Sequence, residues 1–372
     1  MLNQILTGLR AGLRSTSLCL FSLVALAISA NAQGSPGFVY TLTNAPANAV
    51  AAFSRAAHGN LTPAGMYPTN GAGTGADLGS QGAIALSEEG RYLAAVNAGS
   101  NEVTLFSVRG RELHFESKIA SGGIQPVSVA IRQGLVYVVN AGATPNVNGY
   151  RITSRGGLEP IPGANRPIGG IGPAQIGFSS DGDFLIVTAK ATNTLHVFRL
   201  QDGVPGPPLT IPSSGQTPFG FGVSKRDHVI VSEAFGGAPG ATAVSSYELM
   251  ENGNLAVITP SLASGQTAAC WIVLSRKGRF AYASNTPSAN ITGYFVGRNG
   301  ALALLNGQPV AATLPAGSAP TDMAISTNDR FLYTLNSGNG TIGAFQIQND
   351  GTLTSLGMTG RLPVGVVGLV AH

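Results

Sequence analysis

Glu233 and Lys190 are the side chains of this 372-residue sequence most suggestive of chemistry, because each departs from an internal pattern. Glu233, within Val231-Ser-Glu-Ala-Phe-Gly-Gly237, fills a position held by asparagine in five other copies of a repeat. Lys190 follows Ala189, the occupant of that position one copy earlier. Charged residues make up only 10% of the chain, so an acid and an amine at corresponding turns stand out. Together they could act as a functional pair, or they could form a salt bridge that locks neighbouring repeats.

Further candidates come from the segments leading into the first strand of each repeat. These supply Ala174 and Gln175, Phe219, Cys270 and Trp271, and Thr321 and Asp322. Trp271 is the only tryptophan; it could stack on a planar or sugar-like ligand or serve as core. Asp322 could be a second carboxylate or a turn-former. Other motifs fail in context. Gly338-Asn-Gly-Thr-Ile-Gly343 matches a dinucleotide-binding spacing but lies in a hairpin with no following helix. The five histidines are scattered without metal-ligand spacing, so neither a metal nor another cofactor is called for.

The elements that would position these residues are short strands in a repeat written about seven times. Each copy has a Gly/Pro lead-in, an alternating apolar run, a Ser-x-x-Gly turn, a second apolar run usually ending in Asn, a third run ending in an aromatic, and a Gly-containing hairpin. Clear copies are Pro126-Val-Ser-Val-Ala-Ile131 with Leu135-Val-Tyr-Val-Val-Asn140, and Pro320-Thr-Asp-Met-Ala-Ile325 with Phe331-Leu-Tyr-Thr-Leu-Asn336. The second runs end at Asn44, Asn97, Asn140, Ala189, Glu233, Asn285 and Asn336, at intervals of 43 to 53 residues. Such a period built from strands implies an all-β, seven-bladed β-propeller. The lead-ins and the turns after the second strands then share one face of the disc, and the Ser-x-x-Gly turns lie on the other. Asparagine at those turns is expected to cap them and to tolerate left-handed backbone.

The ends of the sequence are out of phase. Phe38-Val-Tyr-Thr-Leu-Thr-Asn44 reads as a second strand without its first, and Val364 to Ala371 reads as a first strand without its second. Joining them completes one blade and removes an open edge. Residues 1–32 read as a secretory signal peptide. Arg10 and Arg14 precede an apolar run from Leu18 to Ile28, and small residues follow up to Ala32. Residues 33–372 then form a single propeller domain, secreted or periplasmic after cleavage near Ala32, with no transmembrane segment and a monomeric state. Without the leader, 19 basic residues face 17 acidic ones. No clustered basic face argues for nucleic acid. Cys270 is left without a disulfide partner in that domain and is expected to be buried.

The repeats, especially Ser179-Ser-Asp-Gly-Asp-Phe-Leu-Ile-Val-Thr-Ala189, Arg279-Phe-Ala-Tyr-Ala-Ser-Asn285 and Asp329-Arg-Phe-Leu-Tyr-Thr-Leu-Asn336, resemble those of the seven-bladed lactonase propellers. That family includes 6-phosphogluconolactonase, carboxymuconate-lactonising enzyme and related YVTN-repeat surface proteins. The resemblance implies a Glu after the second strand of one blade, an Arg at that blade's lead-in and a His at the preceding one. The Glu matches Glu233, the Arg position falls on Phe219 and the His position on Ala174. Glu233 would then be the general base of a hydrolase or cycloisomerase acting on a small lactone at the central channel. Lys190 would supply the positive charge, with Gln175, Phe219, Trp271 and Asp322 contacting substrate. The alternative is a non-catalytic periplasmic or surface propeller that binds a sugar, a peptide or a protein partner.

Overall fold

The computed structural model describes residues 37–372; the expected leader lies outside the described residues. Seven antiparallel sheets, numbered here as blades 1–7 by their second strands, radiate from a central channel. The innermost strands are Val367–Ala371 in blade 1, Ile84–Leu86 in blade 2, Pro126–Arg132 in blade 3 and Pro173–Phe178 in blade 4. Pro218–Val223, Ala269–Leu274 and Pro320–Ile325 follow in blades 5, 6 and 7. Each touches the next, and the last touches the first, so the ring is closed. In blades 3, 4 and 6 the outermost strand is broken into two short pieces, such as Leu302–Leu304 and Ala312–Thr313.

Proline opens four of the innermost strands. It lacks an N–H to donate and is tolerated at the first residue of a strand. Second strands are apolar on both faces because they lie between neighbouring blades. Val136, Tyr137, Val138 and Val139 are all fully buried. The serine of the Ser-x-x-Gly turn, replaced by Ser-x-x-Asp at Ser224 and Ser326, recurs for a hydrogen-bonding reason. The hydroxyls of Ser87, Ser179, Ser224, Ser275 and Ser326 accept the backbone N–H groups of Tyr92, Phe184, His228, Phe280 and Phe331 at 2.9–3.1 Å. Each serine thus fixes the turn that starts the second strand. Tyrosines in the second strands tie successive blades. Tyr282 Oη donates to the Gly351 carbonyl at 2.7 Å, Tyr333 Oη to Gly59 at 2.8 Å, and Tyr137 Oη to Gly203.

Blade 1 is assembled from both ends of the described chain. Gly37–Leu42 pairs with Ala49–Arg55 on one side and with Val367–Ala371 on the other. Thr41 Oγ1 donates to the Gly368 carbonyl at 2.7 Å, and the His372 amide donates to the Phe38 carbonyl at 2.8 Å. The expected closure is therefore present. Deleting residues 364–372 would expose the edge of Gly37–Leu42 and remove the innermost strand of that blade. We expect the truncated protein to lose the single cooperative thermal transition of the full chain in circular dichroism; an unaltered melt would contradict closure as the source of cooperativity.

Candidate functional site

In six blades a bulge in the innermost strand, just past the lead-in, turns one or two residues out of the ladder; in blade 1 the displaced residue is Gly368. In the other five the displaced residues are Val127, Ala174, Phe219 with Gly220, Cys270 and Asp322. Bulges re-aim side chains, and here they define a rim at one mouth of the channel. That mouth is filled. Residues 78–82 leave blade 2 before its first strand begins and hydrogen-bond to four other blades. The Gln81 amide nitrogen donates to the Ile272 carbonyl at 2.8 Å, and its oxygen accepts the Ile272 N–H at 3.0 Å. The Gln81 backbone N–H donates to the Ala174 carbonyl at 2.9 Å, and Ser80 Oγ to the Val127 carbonyl at 2.8 Å. Gly82 N–H donates to Asp322 Oδ2 at 3.3 Å. Gly79 and Gly82, at φ of 57° and 78°, provide the left-handed backbone that the crossing requires. A fifth blade abuts the same loop, because a Cβ on Gly220 would overlap the Gln81 side-chain oxygen.

Beneath this crossing, Phe219 and Trp271 lie 5.0 Å apart between ring centroids at a 60° tilt, packed with Ala174 and Cys270. Trp271 Nε1 donates to the Ser80 carbonyl at 2.9 Å, so both its face and its polar tip are occupied. Lys190 Nζ sits 5.0 Å above the Phe219 ring and donates to the Gly79 carbonyl. Burial lowers the affinity of this amine for its proton, and Asp77 and Cys270 partly counter that effect. Burial pushes the Cys270 thiol up to about 12, with Lys190 opposing, so it remains protonated at neutral pH.

Glu233 occupies a different place. It is fully buried inside blade 5. Its Oε1 accepts the Gly215 N–H at 2.8 Å and the Ser245 hydroxyl at 2.5 Å, and its Oε2 accepts the Ser261 hydroxyl at 2.7 Å. Desolvation raises its pKa, while the bonds from Ser245, Ser261 and Gly215 pull it down. Asn97 and Asn285 stand at the same register and donate to Thr104 and Thr292 at 2.9 Å. Ser245 is the counterpart of those threonines. The asparagines therefore bind across to the third strand, and of the five at this position only Asn44 has a positive φ. Glu233 fills that inter-strand slot. It shares no ion pair with Lys190, whose ammonium is directed to the blade 2 crossing.

Gln175 and Asp322 face the channel below the crossing. They line a cavity of about 350 Å³ together with Gln81, Gly177, Arg132 and Leu369. Gln175 bridges blades 4 and 5, its amide donating to the Phe221 carbonyl at 3.0 Å and accepting the Phe221 N–H at 2.6 Å. Asp322 is buried, and burial raises its carboxyl pKa to about 7 despite backbone N–H bonds from Gly82, Met323 and Leu369. A second cavity of about 400 Å³ adjoins the first along Leu86, Ile131, Arg132 and Met323. It lies at the Ser-x-x-Gly end, where Glu88, Arg132 and Arg276 surround the mouth. The structure thus brings Phe219, Trp271 and Lys190 together at the filled mouth and Gln175 and Asp322 together in the channel, and leaves Glu233 apart from both.

The lactonase, 7-bladed β-propeller family model matches residues 37–162 and 241–367. The chain belongs to that family. No curated protein matches it. Among solved structures it is similar to a candidate 6-phosphogluconolactonase from Bacteroides fragilis, with a TM-score of 0.72 and 17% identity over 90% of this chain and 97% of that one. It is also similar to the periplasmic gluconolactonase of Pseudomonas aeruginosa, with a TM-score of 0.70 and 16% identity over 90% of this chain and 98% of that one. At these identities the likeness is one of fold.

Two outcomes follow from the channel. Gln81→Ala leaves the buried N–H and C=O of Ile272 unpaired, at a cost of about 1–3 kcal/mol for each group, measurable by chemical denaturation. Asp322 binds its proton more tightly when folded than when unfolded, so its contribution to stability is complete in acid and lost as pH rises from about 4 to about 7. Asp322→Asn is expected to remove that part of the stability–pH profile.

Proposed function

We propose that this propeller is an exported, monomeric lactone hydrolase whose substrate occupies the central channel from the Ser-x-x-Gly face. The observation that carries the reading is Asp322, a carboxyl with a pKa of about 7 lining a cavity of about 350 Å³. General bases work best when their pKa lies near the operating pH. In its ionised form Asp322 takes a proton from water as the oxygen attacks the lactone carbonyl. The ring C–O bond then breaks, and the proton passes to the departing alkoxide, giving a hydroxy acid. Arg132, which lines the same cavity, offers positive charge to the oxygen that becomes negative.

The same reaction with Glu233 as base and Lys190 as its charge partner is the version that family resemblance suggests. Both carboxyls accept buried hydrogen bonds; what favours Asp322 is that it lines the cavity of about 350 Å³, whereas Glu233 is enclosed within blade 5. A second reading, a non-catalytic propeller that binds a small molecule or a surface partner, draws on the filling of the other mouth by residues 78–82, Phe219 and Trp271.

The two readings separate in a pH-stat assay of purified protein against a panel of small lactones. The hydrolase reading expects turnover whose kcat/KM climbs with pH through about 7. It also expects Asp322→Asn to lower turnover by about 10²-fold or more, while Glu233→Gln retains it once folding is verified. Loss with Glu233→Gln alone would return the base to blade 5. No turnover of any lactone by the wild type would leave the binding reading.

A further inference from the structure

Glu88 lies at the open mouth of the channel between two guanidinium groups from blades three positions apart. Its Oε2 faces Arg132 Nη1 of blade 3 at 3.5 Å, and its Oε1 faces Arg276 Nη2 of blade 6 at 3.4 Å. Charge-assisted bonds of this kind are normally 2.7–2.9 Å. One carboxylate is thus shared loosely between two arginines. Glu88 is 54% exposed and Arg276 is 43% exposed, so exchange with solvent ions is open to both. Exposed ion pairs are weak, so little holds Glu88 in place.

The two arginines are not equivalent. Arg132 also donates to the Ser180 carbonyl and lies within electrostatic reach of Asp181, which fixes it to the wall. Among the described residues, the Arg276 side chain hydrogen-bonds only to Glu88, and its backbone N–H is held by Asp329 Oδ1 at 2.6 Å. Arg55 lies on the same side; burial, with the positive charges of Arg55 and Arg276, holds the nearby His372 imidazole below its ordinary pKa. Behind the three charged groups is the cavity of about 400 Å³, within the range that takes small-molecule ligands.

The geometry points to a carboxylate-binding gate at this mouth, in which Glu88 holds the place taken by the carboxylate of a small organic acid. The internal occupant sets the ligand chemistry: a single planar carboxylate offering one oxygen to each guanidinium. A free acid can approach either arginine more closely than Glu88 does, and its remainder would extend into the cavity. This inference shares Arg132 with the proposed lactone site but concerns equilibrium binding, and its test does not require turnover.

Calorimetric titration of the full protein with gluconate at low salt, with glucose and inorganic phosphate as comparison ligands, tests it. Gluconate is expected to bind and glucose not to bind. Arg276→Gln should weaken gluconate at least about tenfold, and raised salt should weaken it further. Glu88→Gln, which removes the internal competitor, should tighten it several-fold. Arg276 has an exposed side chain, so its variant is expected to melt with the wild type, and that melt is the folding control. Gluconate binding indifferent to Arg276→Gln, absence of binding to both wild type and Glu88→Gln, or tighter binding of phosphate than of gluconate would each overturn the assignment.

Discussion

Five blades of this ring meet on one short crossing, residues 78–82, and the shape of the channel depends on it. Gln81 satisfies both backbone groups of Ile272, its own N–H goes to blade 4, Ser80 reaches blade 3, and Gly82 meets Asp322 of blade 7. A propeller whose blades touch only their neighbours is stabilised around its circumference. This one also has a hub. Buried peptide groups left without partners are costly, so a polar segment crossing a channel must find a partner for nearly every donor and acceptor. The segment does so by borrowing from blades that are remote in sequence. The side chains around it respond in kind: Trp271 turns its indole N–H to Ser80, and Lys190 its ammonium to Gly79.

The hub decides which face of the disc is open. The rim reached by the second-strand ends, where the family pattern would put a reacting carboxylate, is occupied by protein. The Ser-x-x-Gly end keeps two adjoining cavities with Gln175 and Asp322 within and arginines outside. Asp322 belongs to both regions, since it accepts the Gly82 N–H of the crossing and lines the cavity below. Any chemistry at that carboxyl is therefore coupled to the element that seals the opposite mouth.

The fold was legible because its signals are repeated and local. Proline lead-ins, serine-anchored turns and doubly buried second strands each follow from one hydrogen bond or one packing surface, and seven copies average out irregularities. The closure of blade 1 could be read from phase alone. The site was less legible. Glu233 stood out as a break in a pattern, yet the break is in chemistry and not in place: it answers Ser245 where Asn97 answers Thr104. Gln81 was missed because blade 2 lacks the proline that opens four of the other innermost strands, and Gly79-Ser-Gln-Gly82 reads as an ordinary loop. The signal was there in the two glycines and in an unusually short first strand of three residues. Arg132 ends the innermost strand of blade 3 and Arg276 lies in a turn of blade 6, and nothing short of the circular arrangement brings them to one carboxylate.

The pairing of Phe38 with His372 has a geometric corollary for handling this molecule. His372 abuts Gly90, in the Ser-x-x-Gly turn of blade 2, so both ends of the described chain emerge on the side where the cavities open. A purification tag, a surface linker or a fused domain attached at either end would crowd the doorway through which solutes enter. Immobilisation through an engineered cysteine on the opposite side of the disc would leave that doorway facing the solvent.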